Sequence, residues 1–245
     1  MIALFTDFGA SDIYVAQMKA VLLRDAPAGT PILDMLHGVP NFNARAGAHL
    51  LAALAPQFPT RSVFVAVIDP GVGSDRPAVA LEAEGRWFVG PDNGLLSVIA
   101  ARAGKPRVER IVWRPNGMSN SFHGRDLFAP IAALLAGGHH PDDKLAPAER
   151  LAVEFGGGDL GEVIYIDHYG NVITGLRAAS ISPATSLRAG GHTIEWAHTF
   201  ADAPIDTPFW YENSIGLAEI ALPLGSASAR LELGIGERIT IAGND

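Results

Sequence analysis

Six consecutive apolar residues, Val63 to Ile68, end on a carboxylate, Asp69; Pro70-Gly71-Val72-Gly73-Ser74-Asp75 follows, then Arg76. A charge placed at the end of a buried apolar run must find a partner. An arginine stays cationic under all relevant conditions and would keep a neighbouring aspartate ionised. Such a pair can hold a water and favour its hydroxide character; it can equally be a plain ion pair bridging a turn. A second cluster, Asn120-Ser121-Phe122-His123-Gly124-Arg125-Asp126, offers an imidazole. His123 could join the first pair, cap a helix, or pack in a core with a backbone partner. Asp7, in Thr6-Asp7-Phe8-Gly9, could accept hydrogen bonds from two vicinal ribose hydroxyls or cap the helix that follows, a role for which Asp12 competes.

Two later motifs are equally double-edged. Asp167-His168-Tyr169-Gly170-Asn171 is an ordinary tight turn by composition, or a way to present Asp167 and Asn171 to a polar ligand. Asn213-Ser214-Ile215-Gly216-Leu217-Ala218-Glu219 reads as a hairpin, or as a hydroxyl and a carboxylate aimed at a zwitterion. His139-His140 with Asp142 and Asp143 has the residue types of a metal site. Adjacent histidines in a Gly/Pro loop seldom converge on one ion, so no metal site is expected.

The elements that must position these residues follow from hydrophobic periodicity. Buried strands are expected at 2–5 and 63–68, a further strand at 31–35, helices at 12–26, 43–54, 95–103 and 124–136, a hairpin at 78–89 around Glu84-Gly85, and a strand at 108–113. This alternation predicts an α/β domain with a mostly parallel sheet, in which chemistry sits just beyond the carboxyl ends of the strands. Asp7 and Asp69 fall at such ends. Gly/Pro-rich stretches at 137–143 and 156–159 bracket a polar connector, after which short strands with Gly, Asn and Pro punctuation predict a smaller all-β, barrel-like domain. The expected boundaries are 1–155 for the α/β domain and 160–245 for the all-β domain, with a polar tail over 242–245.

Composition narrows the function classes. The chain has 245 residues, a formal net charge of −8 and no basic run, which argues against nucleic acid as a partner. Cysteine is absent, which removes disulfides, thiolate metal sites and thiol nucleophiles. The first residues carry no basic region, and no apolar stretch approaches the 18 or so residues of a membrane helix. A cytoplasmic enzyme without membrane attachment is the expectation.

The order of these pieces is less ambiguous than any one of them. Thr-Asp-Phe-Gly, Ile-Asp-Pro-Gly-Val-Gly with a trailing Arg, Pro-Asp-Asn-Gly, Phe-His-Gly-Arg-Asp, Asp-His-Tyr-Gly-Asn and Asn-Ser-x-Gly-x-x-Glu-Ile-Ala occur in one series. That series resembles the S-adenosyl-L-methionine hydroxide adenosyltransferases, relatives of the S-adenosyl-L-methionine chlorinases and fluorinases, over essentially the whole chain. The resemblance implies an enzyme that splits S-adenosyl-L-methionine into adenosine and L-methionine without metal or cofactor. Asp69, Arg76 and His123 would be its catalytic set. Asp7 would bind the ribose diol, Phe42 would wall the sugar, Asn171 would lie near adenine, and the backbone around Leu224 would contact that base. Asp167 and Ser214 would hold the methionine ends; Ile215 stands where the halogenases carry an arginine. The resemblance further implies a homotrimer with sites at subunit interfaces. The alternatives are a halogenase, disfavoured by the intact Asp–Arg–His set, and a non-catalytic adenosine- or S-adenosyl-L-methionine-binding module.

Overall fold

The computed structural model describes residues 1–242; the expected polar tail lies, from position 243 onward, outside the described residues. The chain divides into two compact units: Met1–Leu51 with Phe58–Gly157, and a second that begins at Gly158 and takes in Ala52–Gln57.

The first unit is built on β1 (Ile2–Thr6), α1 (Ile13–Asp25), β2 (Ile32–Leu36), α2 (Ala44–Leu54), β3 (Val63–Val67), β4 (Ala78–Ala83), β5 (Arg86–Pro91), α3 (Ser97–Arg102), β6 (Arg107–Ile111), α4 (Ala129–Ala136) and β7 (Leu145–Ala148). Its seven-stranded sheet runs in the order β2-β1-β3-β5-β4-β6-β7. β1 and β3 occupy central positions, and every residue of both is buried, which is why they read as unbroken apolar runs. The β2-β1-β3-β5 half is parallel, as the alternation of strands and helices requires. The β4, β6 and β7 ladders are antiparallel. The direction of β4 is set by the hairpin turn to β5, where Glu84 and Gly85 both hold positive φ (49° and 70°), the geometry that matches strand twist across a two-residue loop. Strand β7 lies inside the stretch expected to be a polar connector.

One face of the sheet is closed by α1 and α4. Met18 and Leu22 of α1 and Ile131 and Ala132 of α4 share a core with Leu4, Val65, Val67 and Val89. The helix expected from residue 124 starts instead as a five-residue π turn, Gly124–Phe128, before tightening into α4. Such wide turns commonly sit at functional sites.

The second unit contains β8 (Leu160–Ile166), β9 (Val172–Arg177), β10 (Leu187–Ala189), β11 (His192–Trp196), β12 (Phe209–Glu212), β13 (Leu217–Ala221), α5 (Ala227–Leu231) and β14 (Ile239–Ile241). Its strand order is β14-β10-β11-β12-β13-β9-β8. The two ends of this order meet: Val163 N–H donates to Glu237 O and Gly236 N–H donates to Val163 O, both at 2.9 Å. The sheet is therefore nearly a closed barrel, as the short punctuated strands predict. Trp210, 1% exposed, fills its core and donates its indole N–H to Thr185 O at 3.0 Å. Helix α5 is too short to leave a periodic signal. It starts at Ser226, whose hydroxyl accepts from Ala229 N–H at 3.1 Å.

The barrel seam depends on a missing side chain. A Cβ at Gly161 would lie 2.6 Å from Ile239 O. We expect Gly161→Val to cost about 1–3 kcal/mol, the usual range for overpacking, read as a lower urea midpoint with an unchanged m-value. A midpoint equal to wild type would show that the seam tolerates opening.

Candidate active site in the first unit

Sheet register brings the first two candidate groups together. Thr6 of β1 pairs with Val67 of β3, so the chain leaves both strands at one edge of the sheet. Asp7 and Asp69 follow directly, and Asp7 N–H still donates to Val67 O at 3.4 Å. Asp12 takes the helix-capping role, accepting from Ile13 N–H at 2.6 Å. Asp7 is left free of it. Its Oδ2 accepts instead from the backbone N–H of Phe42 at 3.0 Å. Burial pushes the Asp7 carboxyl above its ordinary value, with the Phe42 N–H acting in the opposite direction. Phe42 itself holds a positive φ of 62° and is 72% exposed, so its ring stands out from the loop rather than packing in the core.

Asp69 is ion-paired with Arg76, and its side chain is only 6% exposed. The loop between them is shaped for this contact. A Cβ at Gly71 would fall 2.7 Å from Arg76 Nη1, so the guanidinium folds back over the turn at a position where any side chain would oblige it to shift. Gly73, with φ +83°, brings its Cα against the carbonyl of Asn120, where a Cβ would sit 2.6 Å away. That approach joins the Asp69–Arg76 loop to the loop that carries His123. Desolvation pulls Arg76 below the ordinary arginine value, and the negative charge of Asp92 counters it.

His123 directly precedes the π turn. Its pKa is lowered, first by burial and then by the positive charges of Arg114 and Arg76. A neutral imidazole at pH 7 follows, since the ordinary histidine value already lies below neutrality. Asp69 and His123 line one cavity of about 440 Å3, together with Asp7, Asp12, Tyr14, Asn41, Phe42, Ser121 and the rings of Phe8 and Phe122. Arg76 acts on that cavity through Asp69. The arrangement can bind a diol at Asp7, hold a water between a carboxylate and a neutral imidazole, and stabilise developing hydroxide with a guanidinium.

Two supports were not legible as such in the sequence. Asn93 donates from Nδ2 to Ile68 O at 2.8 Å and accepts from Leu95 N–H at 3.3 Å, fixing the backbone that leads into Asp69. Pro91-Asp92-Asn93-Gly94 signals a turn, and nothing in that signal says which carbonyl the amide reaches. The second is a chain that runs inward from an exposed carboxylate: Asp34 Oδ1 meets His37 Nε2 at 3.0 Å, and the buried His37 meets Thr6 Oγ1 through Nδ1 at 2.8 Å. Thr6 is fully buried, so this chain fixes the end of β1 rather than offering a nucleophile.

In the second unit the candidate residues sit on turns: Asp167 and Asn171 precede β9 at the end where it pairs with Ile220, and Ser214 precedes β13 at the end where Leu217 pairs with Arg177. Asp167 Oδ1 accepts from the N–H groups of Tyr169 and Asn171, and Oδ2 accepts from Asn171 Nδ2, all at 2.9 Å. A Cβ at Gly170 would overlap Ser226, and Ser228 N–H donates to Gly170 O at 2.9 Å, so this turn packs on the segment beyond Leu224. Leu224 holds φ 57° and is fully exposed. Ser214 rides an exposed turn that Asn213 Oδ1 shapes by accepting from Ile215 and Leu217 N–H. Asn213 is in turn held by Glu219, a buried carboxylate that also accepts from Tyr211 Oη at 2.6 Å. Burial and that carboxylate raise the Tyr211 phenol well above its ordinary value. His140, by contrast, commits both ring nitrogens to carboxylates, Nδ1 to Asp142 at 2.7 Å and Nε2 to Glu109 at 2.8 Å.

Comparison with known proteins gives a consistent picture. The sequence model of the SAM hydroxide adenosyltransferase N-terminal domain matches residues 2–144, and that of the C-terminal domain matches 161–240. A protein of Thermus thermophilus named (R)-S-adenosyl-L-methionine hydrolase is 38% identical, over 93% of this chain and 94% of its own. A fluorinase from an Actinoplanes species is 30% identical over 91% and 92%. The crystal structure of an uncharacterized conserved protein from Thermotoga maritima superposes with a TM-score of 0.89 at 32% identity, covering 98% of this chain and 99% of that one.

Asn93→Ala should leave the Ile68 carbonyl without its side-chain donor. We expect a loss of about 1–3 kcal/mol in urea unfolding, the cost of a buried unpaired polar group, together with faster amide exchange across 68–73. Unchanged stability and exchange would show that solvent replaces the amide.

Proposed function

The chain belongs to the SAM hydroxide adenosyltransferase family, and from that premise we propose that it hydrolyses S-adenosyl-L-methionine to adenosine and L-methionine. The observation that carries the reading is Asp69, ion-paired with Arg76, lining one cavity with Asp7 and His123. Asp7 binds the ribose diol and Phe42 walls the sugar. Asp69 accepts one hydrogen of a water, Arg76 stabilises the negative charge that develops on its oxygen, and His123 accepts the departing proton. The water oxygen attacks ribose C5′, the C5′–S bond breaks, and its electron pair stays on sulfur. Methionine leaves as a neutral thioether, so no general acid is needed and the acceleration comes from in-line positioning and partial desolvation. In this reading the reaction uses neither metal nor cofactor, and the enzyme works in the cytoplasm.

We propose further that the protein is a homotrimer whose sites pair the first unit of one subunit with the second unit of a neighbour. Asp167 and Ser214 would then hold the methionine ends, and Asn171 with the backbone at Leu224 would face adenine. The support is that each set of candidates is flanked by large exposed apolar groups, Phe42 at 72% and Tyr169 at 75% among them, which is what an uncovered interface looks like.

In 18O-labelled water the adenosine formed should carry the label at its 5′ oxygen, and Asp69→Asn and Arg76→Ala should each lower turnover by about 10²-fold or more. A 5′-halogenated nucleoside appearing at a comparable rate in chloride or fluoride would replace hydrolysis with halogenation; binding without any product would leave a binding module. Light scattering should give the mass of a trimer. Subunits of Asp69→Asn and of an Asp167→Ala/Ser214→Ala variant, reassembled together, should regain part of the lost activity. An active monomer would overturn the shared site.

A further inference from the structure

The cavity is walled by more aromatic surface than a ribose needs. Phe8, Tyr14 and Phe122 form a closed triangle: the Phe8 and Tyr14 rings lie 5.5 Å apart, Phe8 and Phe122 5.9 Å, and Tyr14 and Phe122 5.3 Å. The planes are mutually tilted, at 53°, 72° and 86°, so their faces look in different directions. Phe122 is buried and already has the Arg125 guanidinium over its ring at 5.2 Å, which makes it the prop of the group. Tyr14 stands at the first turn of α1, is 40% exposed, and lines the same cavity as Asp12 and Asp69. The charged side chains that line the same cavity are carboxylates, Asp7, Asp12 and Asp69, with no lysine or arginine among them.

A sulfonium carries its charge on sulfur with no hydrogen to donate. Conventional N–H or O–H hydrogen bonds cannot hold it; electrostatic attraction and polarisable surface can. Aromatic faces supply both through the ring quadrupole, which is the basis of recognition of quaternary ammonium ligands by aromatic cages. We propose that Tyr14, braced by Phe8 and Phe122, is the specificity-determining residue that recognises the sulfonium centre, so that the site prefers the cationic substrate over a neutral thioether of the same shape. The inference rests on the hydrolase reading and deepens it: the wall selects charge at sulfur, while the Asp69 group performs the attack.

The test is a binding ratio. In an Asp69→Asn background, which suppresses turnover, calorimetry would give the affinities of S-adenosyl-L-methionine and S-adenosyl-L-homocysteine for Tyr14, Tyr14→Phe and Tyr14→Leu proteins. Loss of the ring face should weaken the sulfonium ligand by about 2- to 30-fold in Tyr14→Leu, the span of a cation–π contact, with the thioether within about twofold of its original affinity. Tyr14→Phe should keep the original ratio. Equal weakening of both ligands in Tyr14→Leu, no weakening of either, or a Phe variant as impaired as Leu would overturn the proposal, as would absence of binding by either ligand. Failure of the hydrolase reading shows separately, as wild-type protein that binds S-adenosyl-L-methionine and forms no adenosine.

Discussion

A carboxylate buried at the end of a parallel strand cannot remain there alone. Asp69 is nearly removed from solvent, and removing an unpaired carboxylate from water costs far more than a typical domain's net stability allows. Arg76 is what makes the position tenable, and much around it follows from getting that guanidinium into place. Gly71 clears the path for the arginine. Gly73 lets the loop bend back onto Asn120, and in doing so fastens it to the segment that presents His123. Asn93 takes the last carbonyl before Asp69, which has already left the β-ladder.

The same pair acts on the electrostatics of its neighbours. Burial, then Arg114 and Arg76, hold the His123 imidazole below its ordinary value, which sets a proton acceptor in the cavity that the ion-paired Asp69 also lines. That division of labour is what a water-activating site requires: one group to orient, one to accept a proton, one to stabilise negative charge. The π turn after His123 belongs to this economy of space, because it widens the backbone where an ordinary helical start would turn more tightly.

The second unit solves a different problem. Its turn at 167–171 is held by Asp167, which accepts from the N–H groups of Tyr169 and Asn171 and from the buried Asn171 amide, and its turn at 213–217 by Asn213, which accepts from Ile215 and Leu217 N–H and is anchored by buried Glu219. Rigid turns of this kind present few atoms but present them reproducibly. Ser214 and the backbone around Leu224 remain outward and available for a partner surface. In the proposed trimer these would complete a pocket that the first unit only half encloses.

The sequence by itself determined the strands that end at Asp7 and Asp69, because strands covered on both faces must be continuously apolar and the charge that stops such a run is conspicuous. It also determined the hairpin at Glu84-Gly85, the change from α/β to short strands, and the candidate residues in their order. Only the tertiary structure decided the rest. That Asp12 and not Asp7 caps α1 depends on where Phe42 brings its N–H. That β6 and β7 run antiparallel depends on strand pairing across more than twenty residues, which local periodicity does not encode. The reach of Asn93 to Ile68, and the meeting of Tyr14 with Phe122, join positions far apart in the chain. Periodicity reports which face of an element is buried; it carries no term for which partner that face will meet.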